Sequence, residues 1–425
     1  MAENTQAALD AQADVVIVGA GFGGLECAMG LGRAGVDTLV IDRRNHNLFQ
    51  PLLYQVATAA LSPADIAEPI RKTLGRYQSV RVMLAEVTDI QDSAVVLSDG
   101  RRVGFGKLVI ATGSDYTYFG HDDWREHAPG LKSLREARKI RQRLLMAFEA
   151  AETTRDPAKR KALLTTAIVG GGPTGVEMAG AVAELGRFMI RRDFRALEVR
   201  DMRVLLIEAG PRILAGFPAN LSDYAAGRLR RAGVEIMLDA PVEAIAPGEL
   251  VVSDAPIAVG CIIWAAGIKP SPAAGWLGLE QAAKGRIPVD DGLAVIGRPD
   301  IYAMGDTASM PTPLPGLAQV AKQQGRWLGA RLVAEISGQP PAETFRFRNR
   351  GNTAMIGRNA AVFDFGTWQL TGPLAWFLWA FVHVALLVNF EKKLLVAVQW
   401  TARYVTRQRG ARLIEEDNPT VPRID

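Results

Sequence analysis

The sequence has few cysteines and almost no excess of charge of either sign. Two of its 425 residues are cysteines, Cys27 and Cys261, and they stand far apart, in neither a CxxC nor a metal-binding spacing. This spacing supports neither a zinc site nor a disulfide framework. We therefore expect that the protein binds no metal and that it works in a reducing compartment. The 49 Lys and Arg residues exceed the 45 Asp and Glu residues by only four, which is too small an excess to indicate nucleic acid as a partner.

The N-terminal segment lacks the features of a secretory signal. Its first 13 residues, MAENTQAALDAQA, have no basic start and no apolar run, and they are predicted to form a frayed tail. Charged residues make up 22% and hydrophobic residues 48% of the chain, which excludes a disordered or fibrous protein. A length of 425 residues predicts roughly two to three domains at about 150 residues each.

The first half of the chain begins with a strand, a glycine loop, a helix and a second strand. The apolar, β-branched run 13–18 predicts a buried strand, and the loop GAGFGG (19–24) follows it. A helix is predicted over 25–33 and a strand over 38–41, which stops at Asp42. Strands that alternate with helices in this way indicate a parallel sheet.

The same order of elements occurs a second time about 150 residues later. A strand over 166–169 leads into the loop GGGPTG (170–175), a helix over 176–188 and a strand that ends at Glu208. The charged segment 187–202 makes this copy longer than usual and is predicted to extend the helix. The chain therefore carries a duplicated architecture with a parallel sheet in each half.

Each glycine of these loops has a physical role in binding a dinucleotide. In the first loop Gly19 permits a tight turn, Gly21 lets backbone N–H groups approach a pyrophosphate, and Gly24 allows the helix to pack on the sheet. Asp42 can hold a ribose hydroxyl. A tight turn without a ligand is the alternative for each loop. Two such units predict two cofactors, one resident and one exchanged.

Two later segments resemble those of two-dinucleotide-binding flavoproteins. They are KLVIATGS (107–114) and IYAMGD (301–306), each a short strand that runs into a small-residue turn. The resemblance assigns the first loop to FAD and the inserted unit 115–275 to a nicotinamide nucleotide, with WAAG (264–267) as its second turn. Glu208 favours NADH over NADPH, because a carboxylate accepts from a 2′-hydroxyl and repels a 2′-phosphate.

The resemblance implies specific contacts for each nucleotide. Those implied for FAD are Gly19, Gly21, Phe22, Gly23, Gly24, Asp42, Arg43, Val87, Ala111, Thr112, Gly113, Gly305 and Asp306. Those implied for NADH are Gly170, Gly172, Pro173, Thr174, Gly175, Glu208, Ala266 and Gly267.

Cysteine usage narrows the class of flavoprotein. Disulfide reductases carry a CxxxxC pair after the first loop, and sulfide:quinone oxidoreductases work through several cysteines, whereas this loop is followed by Cys27 alone. Cys27 and Cys261 are predicted to be small buried hydrophobic residues. The electron acceptor is therefore expected to take electrons directly from reduced flavin.

Two glutamine-containing segments resemble type II NADH:quinone oxidoreductases, the single-chain NADH dehydrogenases that pump no protons. They are NLFQPLLYQVAT (47–58) and LAQVAKQQG (317–325), and the second matches the AQxAxQxG quinone-site pattern of that family. The resemblance implies that Gln319 and Gln323 face the quinone and that Glu177 lies near the nicotinamide–flavin contact. The alternatives are a polar helix start for the glutamines and a capping-box role with Thr174 for Glu177.

The C-terminal segment is the most apolar part of the chain. Residues 371–390 contain no acidic or basic residue apart from His383, which is counted as neutral. Residues 392–412 carry six Lys or Arg and no acid. An apolar, Trp-rich stretch beside a cationic one predicts helices that lie in the headgroup layer of a membrane. A transmembrane span and burial in a dimer interface are the alternatives. The resemblance places such an anchor on the cytoplasmic face of the inner membrane.

The sequence therefore predicts an α/β protein with two Rossmann-like domains, the second inserted in the first, and a C-terminal amphipathic helical membrane anchor. The predicted ranges are 1–114 with 276–340 for FAD, 115–275 for NADH and 341–425 for the anchor domain. The expected function is FAD-dependent oxidation of NADH with reduction of a membrane quinone, ubiquinone or menaquinone, by a homodimer. The rival functions are a soluble NADH-dependent reductase of a protein acceptor and an NADH-sensing flavoprotein.

Overall fold

The computed structural model describes residues 9–279, 282–386, 395–398, 400–401 and 411–414. The chain divides into two compact units. The first unit comprises Met1–Leu48, Ala67–Asp115 and Ile268–Asn349, and the second comprises Phe49–Ile66, Tyr116–Gly267 and Arg350–Asp425. The predicted ranges divide the chain differently. Residues 49–66 group with the second unit, and the chain returns to the first unit at Ile268 and not at residue 276.

The strands are, in chain order, β1 Ala11–Val18, β2 Thr38–Asp42, β3 His46–Leu48, β4 Ala67–Pro69, β5 Val80–Leu84, β6 Val87–Gln91, β7 Ala94–Leu97, β8 Arg102–Ile110, β9 Ser114–Tyr116, β10 Thr165–Val169, β11 Arg203–Ile207, β12 Val234–Met237, β13 Val242–Ala246, β14 Glu249–Val252, β15 Ala255–Ala258, β16 Cys261–Trp264, β17 Ile268–Pro270, β18 Ile287–Pro288, β19 Ala294–Val295, β20 Arg298–Ala303, β21 Ala308–Ser309, β22 Asn352–Gly357, β23 Ala360–Asp364 and β24 Gln369–Thr371. The α-helices are α1 Phe22–Arg33, α2 Leu53–Ala57, α3 Pro63–Ile66, α4 Ile70–Leu74, α5 Trp124–His127, α6 Leu134–Thr153, α7 Pro157–Leu163, α8 Pro173–Arg192, α9 Ala219–Arg231, α10 Ala318–Ile336 and α11 Gly372–Leu386.

The first unit contains a sheet whose main path runs in the order β19-β20-β8-β1-β2-β5. Strands β20, β8, β1, β2 and β5 are parallel, so their carboxyl ends meet at one edge. The second half of strand β1, residues 15–18, is continuously apolar and buried, as expected for a strand covered on both faces. Helices α1 and α10 pack closely, and a Cβ on Gly325 would collide with the backbone of Gly23.

The second unit contains a parallel sheet in the order β12-β11-β10-β16 and a separate antiparallel sheet β22-β23-β24. Helix α8 follows β10 and packs against β22. A Cβ on Gly180 of α8 would collide with the carbonyl of Ile356, so only glycine allows this approach. The predicted parallel sheet in each half is confirmed.

Two details of the predicted elements were wrong. The N-terminal tail was expected to reach residue 13, but β1 begins at Ala11 because Ala11 pairs with Val103 of β8. The charged segment 187–202 was expected to be helical throughout, but α8 ends at Arg192. The backbone beyond it is fixed by Glu152, whose carboxylate accepts the N–H groups of residues 195 and 196 at 3.1 Å.

Candidate nucleotide and acceptor sites

The first glycine loop lies where parallel strands of the first unit end side by side. Gly19 has a φ of +99°, and a Cβ on it would stand 2.5 Å from the carbonyl oxygen of Ala111. A Cβ on Gly24 would collide with the carbonyl oxygen of Gly19, so α1 can start this close to the strand only with glycine. In contrast, a Cβ on Gly21 would meet no protein atom within 4 Å. This open space fits a pyrophosphate that approaches the helix N-terminus.

The carboxylate of Asp42 is held in place by the backbone beside it. Its Oδ2 accepts the N–H of Ala20 and its Oδ1 accepts the N–H of Arg44, both at 2.7 Å. The buried amide of Asn47 in turn donates to the carbonyl of Ala20 at 2.7 Å. These bonds fix an anionic acceptor at the end of β2, which fits a ribose hydroxyl as its donor. Sequence reasoning did not assign Asn47, although the residue opens the first glutamine-containing segment.

The second glycine loop repeats this geometry in the second unit. Gly170 has a φ of +107°, and a Cβ on it would stand 2.8 Å from the carbonyl of Ala265. A Cβ on Gly175 would collide with the carbonyl oxygen of Gly170, whereas a Cβ on Gly172 would meet nothing within 4 Å. Tight packing at the ends of the loop and open space in its middle again fit a dinucleotide.

Glu208 occupies the same place in the second unit as Asp42 does in the first. Its Oε2 accepts the N–H of Gly171 at 2.6 Å and its Oε1 accepts the N–H of Gly210 at 2.8 Å. The guanidinium of the neighbouring Arg212 donates to the carbonyl of Ala215 at 2.8 Å. The carboxylate of Glu208 at the predicted ribose position is therefore fixed, and Arg212 has a backbone partner.

Two further turns of the first unit follow β8 and β20, which are neighbours in the sheet. Gly113 and Gly305 have φ values of +71° and +70°, as expected for glycines that turn the chain away from a strand end. Ser114 donates its hydroxyl to Asp306 Oδ2 at 2.6 Å. The structure thus brings the predicted residues Thr112, Gly113 and Asp306 to one edge of the sheet with Gly19.

The remaining predicted nucleotide contacts lie around these turns. Arg43 is at the surface and forms an ion pair with Glu86 at 3.5 Å, and the buried Val87 begins β6. Half-buried Phe22 begins α1 and buried Gly23 follows it. Pro173 and Thr174 form the first turn of α8, and Ala266 and Gly267 follow β16.

The glutamines of the motif segment lie in the first part of α10. Half-buried Gln319 is in the first turn of this helix. The amide of Gln323 forms two bonds to the backbone of Arg348, donating to its carbonyl at 3.0 Å and accepting its N–H at 3.1 Å. Gln324, which sequence reasoning did not select, is buried and accepts the N–H of Gly305 at 2.8 Å. Gln324 is therefore the glutamine bonded to a predicted FAD turn.

Glu177 lies in α8, two residues after Gly175, and its carboxylate accepts the N–H of Met355 at 3.2 Å. Part of the side chain remains exposed, but protein surrounds the carboxyl, and this burial raises the pKa of Glu177 to about 8. The helix begins at Pro173 with Gly172 as its cap, so Thr174 is inside the first turn. The alternative capping-box role of Glu177 with Thr174 is therefore wrong, and a carboxyl that is largely neutral at pH 7 stands behind the second glycine loop.

Helix α11 has one buried face and one exposed, apolar face. Ala375, Trp379 and His383 are buried, and burial lowers the pKa of His383 to about 4. On another face Phe377 is 57% and Phe381 73% exposed. Within the described residues no helix has both the length and the apolar character needed to cross a membrane. Most of the predicted basic segment 392–412 lies outside the described residues.

Known proteins are similar to this chain in sequence and in fold. Residues 13–325 match the family described as pyridine nucleotide-disulphide oxidoreductase, and residues 349–408 match the NDH2 C-terminal domain. A type II NADH:quinone oxidoreductase of Mycobacterium tuberculosis is 38% identical over 422 residues, covering 95% of this chain and 90% of that protein. The chain belongs to the type II NADH:quinone oxidoreductase family.

More distant members of this family are also similar to the chain. A mitochondrial internal alternative NAD(P)H-ubiquinone oxidoreductase of Arabidopsis thaliana is 27% identical, covering 92% of this chain and 84% of that protein. A solved structure of NDH2 from Plasmodium falciparum in complex with NADH has a TM-score of 0.84 at 20% identity, covering 95% of this chain and all of that one. That likeness supports the fold. The predicted α/β fold and the predicted class of enzyme, an NADH:quinone oxidoreductase with FAD and NADH as cofactors, are confirmed for this type II family member.

Proposed function

We propose that this type II family member oxidises NADH through a bound FAD and passes two electrons to a membrane quinone without pumping protons. The observation that carries this proposal is the duplicated geometry of a glycine loop and a fixed acid, at Asp42 in one unit and at Glu208 in the other. The relatives in Mycobacterium tuberculosis and Arabidopsis thaliana, which are named for NADH:quinone and NAD(P)H-ubiquinone oxidoreduction, support it.

The residues of the first unit are proposed to hold FAD. The open backbone at Gly21 takes the pyrophosphate, Asp42 accepts from the adenosine ribose, and Asp306 accepts from the ribityl chain. When bound, FAD supplies the two-electron chemistry that no side chain of this protein has. The protein contributes orientation and the exclusion of competing reactions, so none of its side chains has to act as a nucleophile.

The second unit is proposed to bind NADH, with Gly172 at the pyrophosphate and Glu208 at the adenosine ribose. Fixed by two N–H groups, Glu208 repels a 2′-phosphate, and Arg212 bonds to a carbonyl of its own loop. NADH is therefore the preferred nucleotide. Because its pKa is about 8, the carboxyl of Glu177 is largely protonated at pH 7 and adds no negative charge near the second glycine loop. A proton held at this pKa makes Glu177 a candidate to hold or release a proton during turnover.

Gln319 and Gln323 are the proposed contacts to the quinone. Amide groups can donate to a quinone carbonyl, and the residues between the two glutamines include the apolar Val320 and Ala321 beside Lys322. Because the amide of Gln323 bonds to the backbone of Arg348, those bonds have to open or be shared when Gln323 donates to a quinone. Gln319, in the first turn of the same helix, is the second proposed amide contact.

The exposed apolar face of α11 is proposed to lie in the headgroup layer of a membrane. Phe377, Phe381 and Leu374, which is 69% exposed, recur at the spacing of one helix face, and no charged group interrupts 371–386. We propose that the protein is a monotopic enzyme on the cytoplasmic face of the inner membrane. A homodimer would expose two such anchors on one side, and the mass of the detergent-solubilised protein tests this state.

The redox proposal is tested anaerobically with purified protein in detergent. NADH is added while the flavin absorbance is followed, and a short-chain quinone is then added. Bleaching by NADH followed by recovery with quinone at a catalytic rate is the expected result. Bleaching without recovery would reject quinone as the acceptor. Gln323→Ala is expected to slow the recovery and to leave bleaching intact, with the exposed Gln339→Ala as its control.

The membrane proposal is tested by sedimentation with anionic lipid vesicles. The double substitution Phe377→Ser with Phe381→Ser is expected to reduce co-sedimentation strongly, because both side chains are exposed and their loss leaves the protein core intact. Leu84→Ser, on another exposed apolar residue of 58% exposure, is the control. Sedimentation that survives both this double substitution and removal of 371–425 would contradict the anchor.

A further inference from the structure

Ser271 joins three segments of the first unit through its backbone and its hydroxyl. Its N–H donates to the carbonyl of Gly113 at 3.0 Å. Its hydroxyl oxygen lies 2.5 Å from the hydroxyl oxygen of Thr112 and 3.1 Å from that of Thr307, so the three hydroxyls form a continuous hydrogen-bonded chain. Ser271 itself precedes the 3-10 helix Pro272–Leu277 and belongs to neither turn that it contacts.

The two turns that Ser271 connects are those predicted to contact FAD. Thr112 and Gly113 follow β8, while Thr307 comes directly after Asp306 and follows β20. These strands are adjacent and parallel, so their turns stand side by side at the carboxyl edge of the sheet. The Ser114 hydroxyl also reaches across to Asp306 at 2.6 Å, which gives the pair of turns a second cross-link.

The Thr307 end of this chain of hydroxyls is closed to solvent. Thr307 is fully buried, and within the described part of the chain the hydrogen bond of its side chain is the one to Ser271. Removal of the Ser271 hydroxyl therefore leaves a buried polar group without a partner, which is a greater loss than that of one exposed hydrogen bond. The two turns then lose one of their two side-chain cross-links, and the bond between Ser114 and Asp306 remains.

We propose that Ser271 is a positioning residue of the FAD site. It sets the separation and orientation of the Thr112–Gly113 turn and the Asp306–Thr307 turn, and it acts through them. The proposal rests on the assignment of FAD to this unit. It gives a role to a residue that lies inside the range 115–275 predicted for NADH binding but belongs to the first compact unit.

The test compares the release of FAD from wild type, Ser271→Ala and Ser271→Thr. Each protein is diluted at a temperature below its unfolding transition, and the fluorescence of released FAD is followed. Ser271→Ala is expected to release FAD about tenfold faster, since it loses two hydrogen bonds of ordinary strength, and Ser271→Thr to stay near wild type because it keeps the hydroxyl. The exposed Ser98→Ala, in the same unit, is the control.

The outcomes separate this proposal from the assignment on which it rests. Equal release rates for wild type and Ser271→Ala would overturn it. If Ser271→Ala does not fold, the isosteric Thr307→Val removes the same buried bond, and unchanged FAD release from that variant overturns the proposal. Wild-type protein that carries no FAD would overturn the cofactor assignment and this proposal with it, and that result is visible without any variant. The position of the flavin absorbance maximum, expected to shift only in variants that lack the hydroxyl bond, provides a second readout.

Discussion

Gln324 Oε1 accepts a hydrogen bond from the backbone N–H of Gly305 at 2.8 Å. Gln324 is 2% exposed, and Gly305 is a positive-φ glycine directly before Asp306. The bond ties helix α10, which carries the proposed quinone glutamines, to the turn that carries the proposed ribityl contact. The buried amide of Gln324 therefore couples a change in α10 to the position of Asp306.

Replacement of Gln324 by leucine tests this connection. Gln324→Leu has a similar volume but leaves the buried N–H of Gly305 without an acceptor, which costs about 1–3 kcal/mol. We expect a lower free energy of unfolding and weaker retention of FAD, measured by denaturant titration and by flavin content after gel filtration. The exposed Gln339→Leu is the control, and equal stability of the two variants would contradict the role of the Gln324 bond.

The first glycine loop predicts two different defects from two alanine substitutions. A Cβ on Gly24 collides with the carbonyl of Gly19, so Gly24→Ala is expected to destabilise the unit itself. A Cβ on Gly21 meets no protein atom within 4 Å, so Gly21→Ala is expected to fold normally and to lose FAD. Circular dichroism and flavin content measure the two effects. Full FAD occupancy in folded Gly21→Ala would show that the loop holds no pyrophosphate.

Glu208 is expected to control the choice of nicotinamide nucleotide. Glu208→Gln keeps an acceptor for one of the two N–H groups, that of Gly171 or that of Gly210, and removes the negative charge that repels a 2′-phosphate. We expect the ratio of kcat/KM for NADH to that for NADPH to fall about tenfold, which corresponds to about 1.4 kcal/mol. Glu235→Gln, at a surface ion pair with Arg203, is the control. An unchanged ratio would mean that another group excludes the 2′-phosphate.

Glu177 predicts a distinct dependence of stability on pH. Its pKa rises from 4.5 to about 8 in the folded protein, so between these values the unfolded chain is ionised at this position while the folded chain is still protonated. The free energy of unfolding should therefore fall as pH rises from about 4.5 to 8, with a slope of at most about 1.4 kcal/mol per pH unit from this group. Glu177→Gln should lack this part of the slope in denaturant titrations at several pH values. Parallel curves for wild type and variant would contradict the raised pKa.

The nucleotide loops could be predicted from the sequence because their chemistry is local. Glycines at fixed spacing between a strand and a helix have few other uses, and an acid at the end of the next strand completes the pattern. Asp42 and Glu208 stand where that pattern requires. The prediction for 187–202 was wrong because the charged composition suited a helix, whereas α8 ends at Arg192 and the N–H groups of residues 195 and 196 bond to Glu152, which is far away in the sequence.

Residues that act through the backbone of distant segments could not be predicted in this way. Ser271, Gln324 and Asn47 each bond to turns more than 15 residues away, and no spacing rule connects the partners. Gln324 also stands beside Gln323, and the motif pattern selects the latter. The burial that raises the pKa of Glu177 likewise depends on β22, which follows it by almost 180 residues.

The burial of the two cysteines determines how the protein reacts with thiol oxidants. Cys27 in α1 and Cys261 in β16 are both buried, and burial raises the pKa of each thiol to about 12. Neither thiol forms the thiolate that attacks a disulfide or reacts with peroxide at neutral pH. We therefore expect neither thiol to take part in thiol–disulfide exchange, so that a shift of the glutathione pool leaves the fold and the nucleotide loops unchanged.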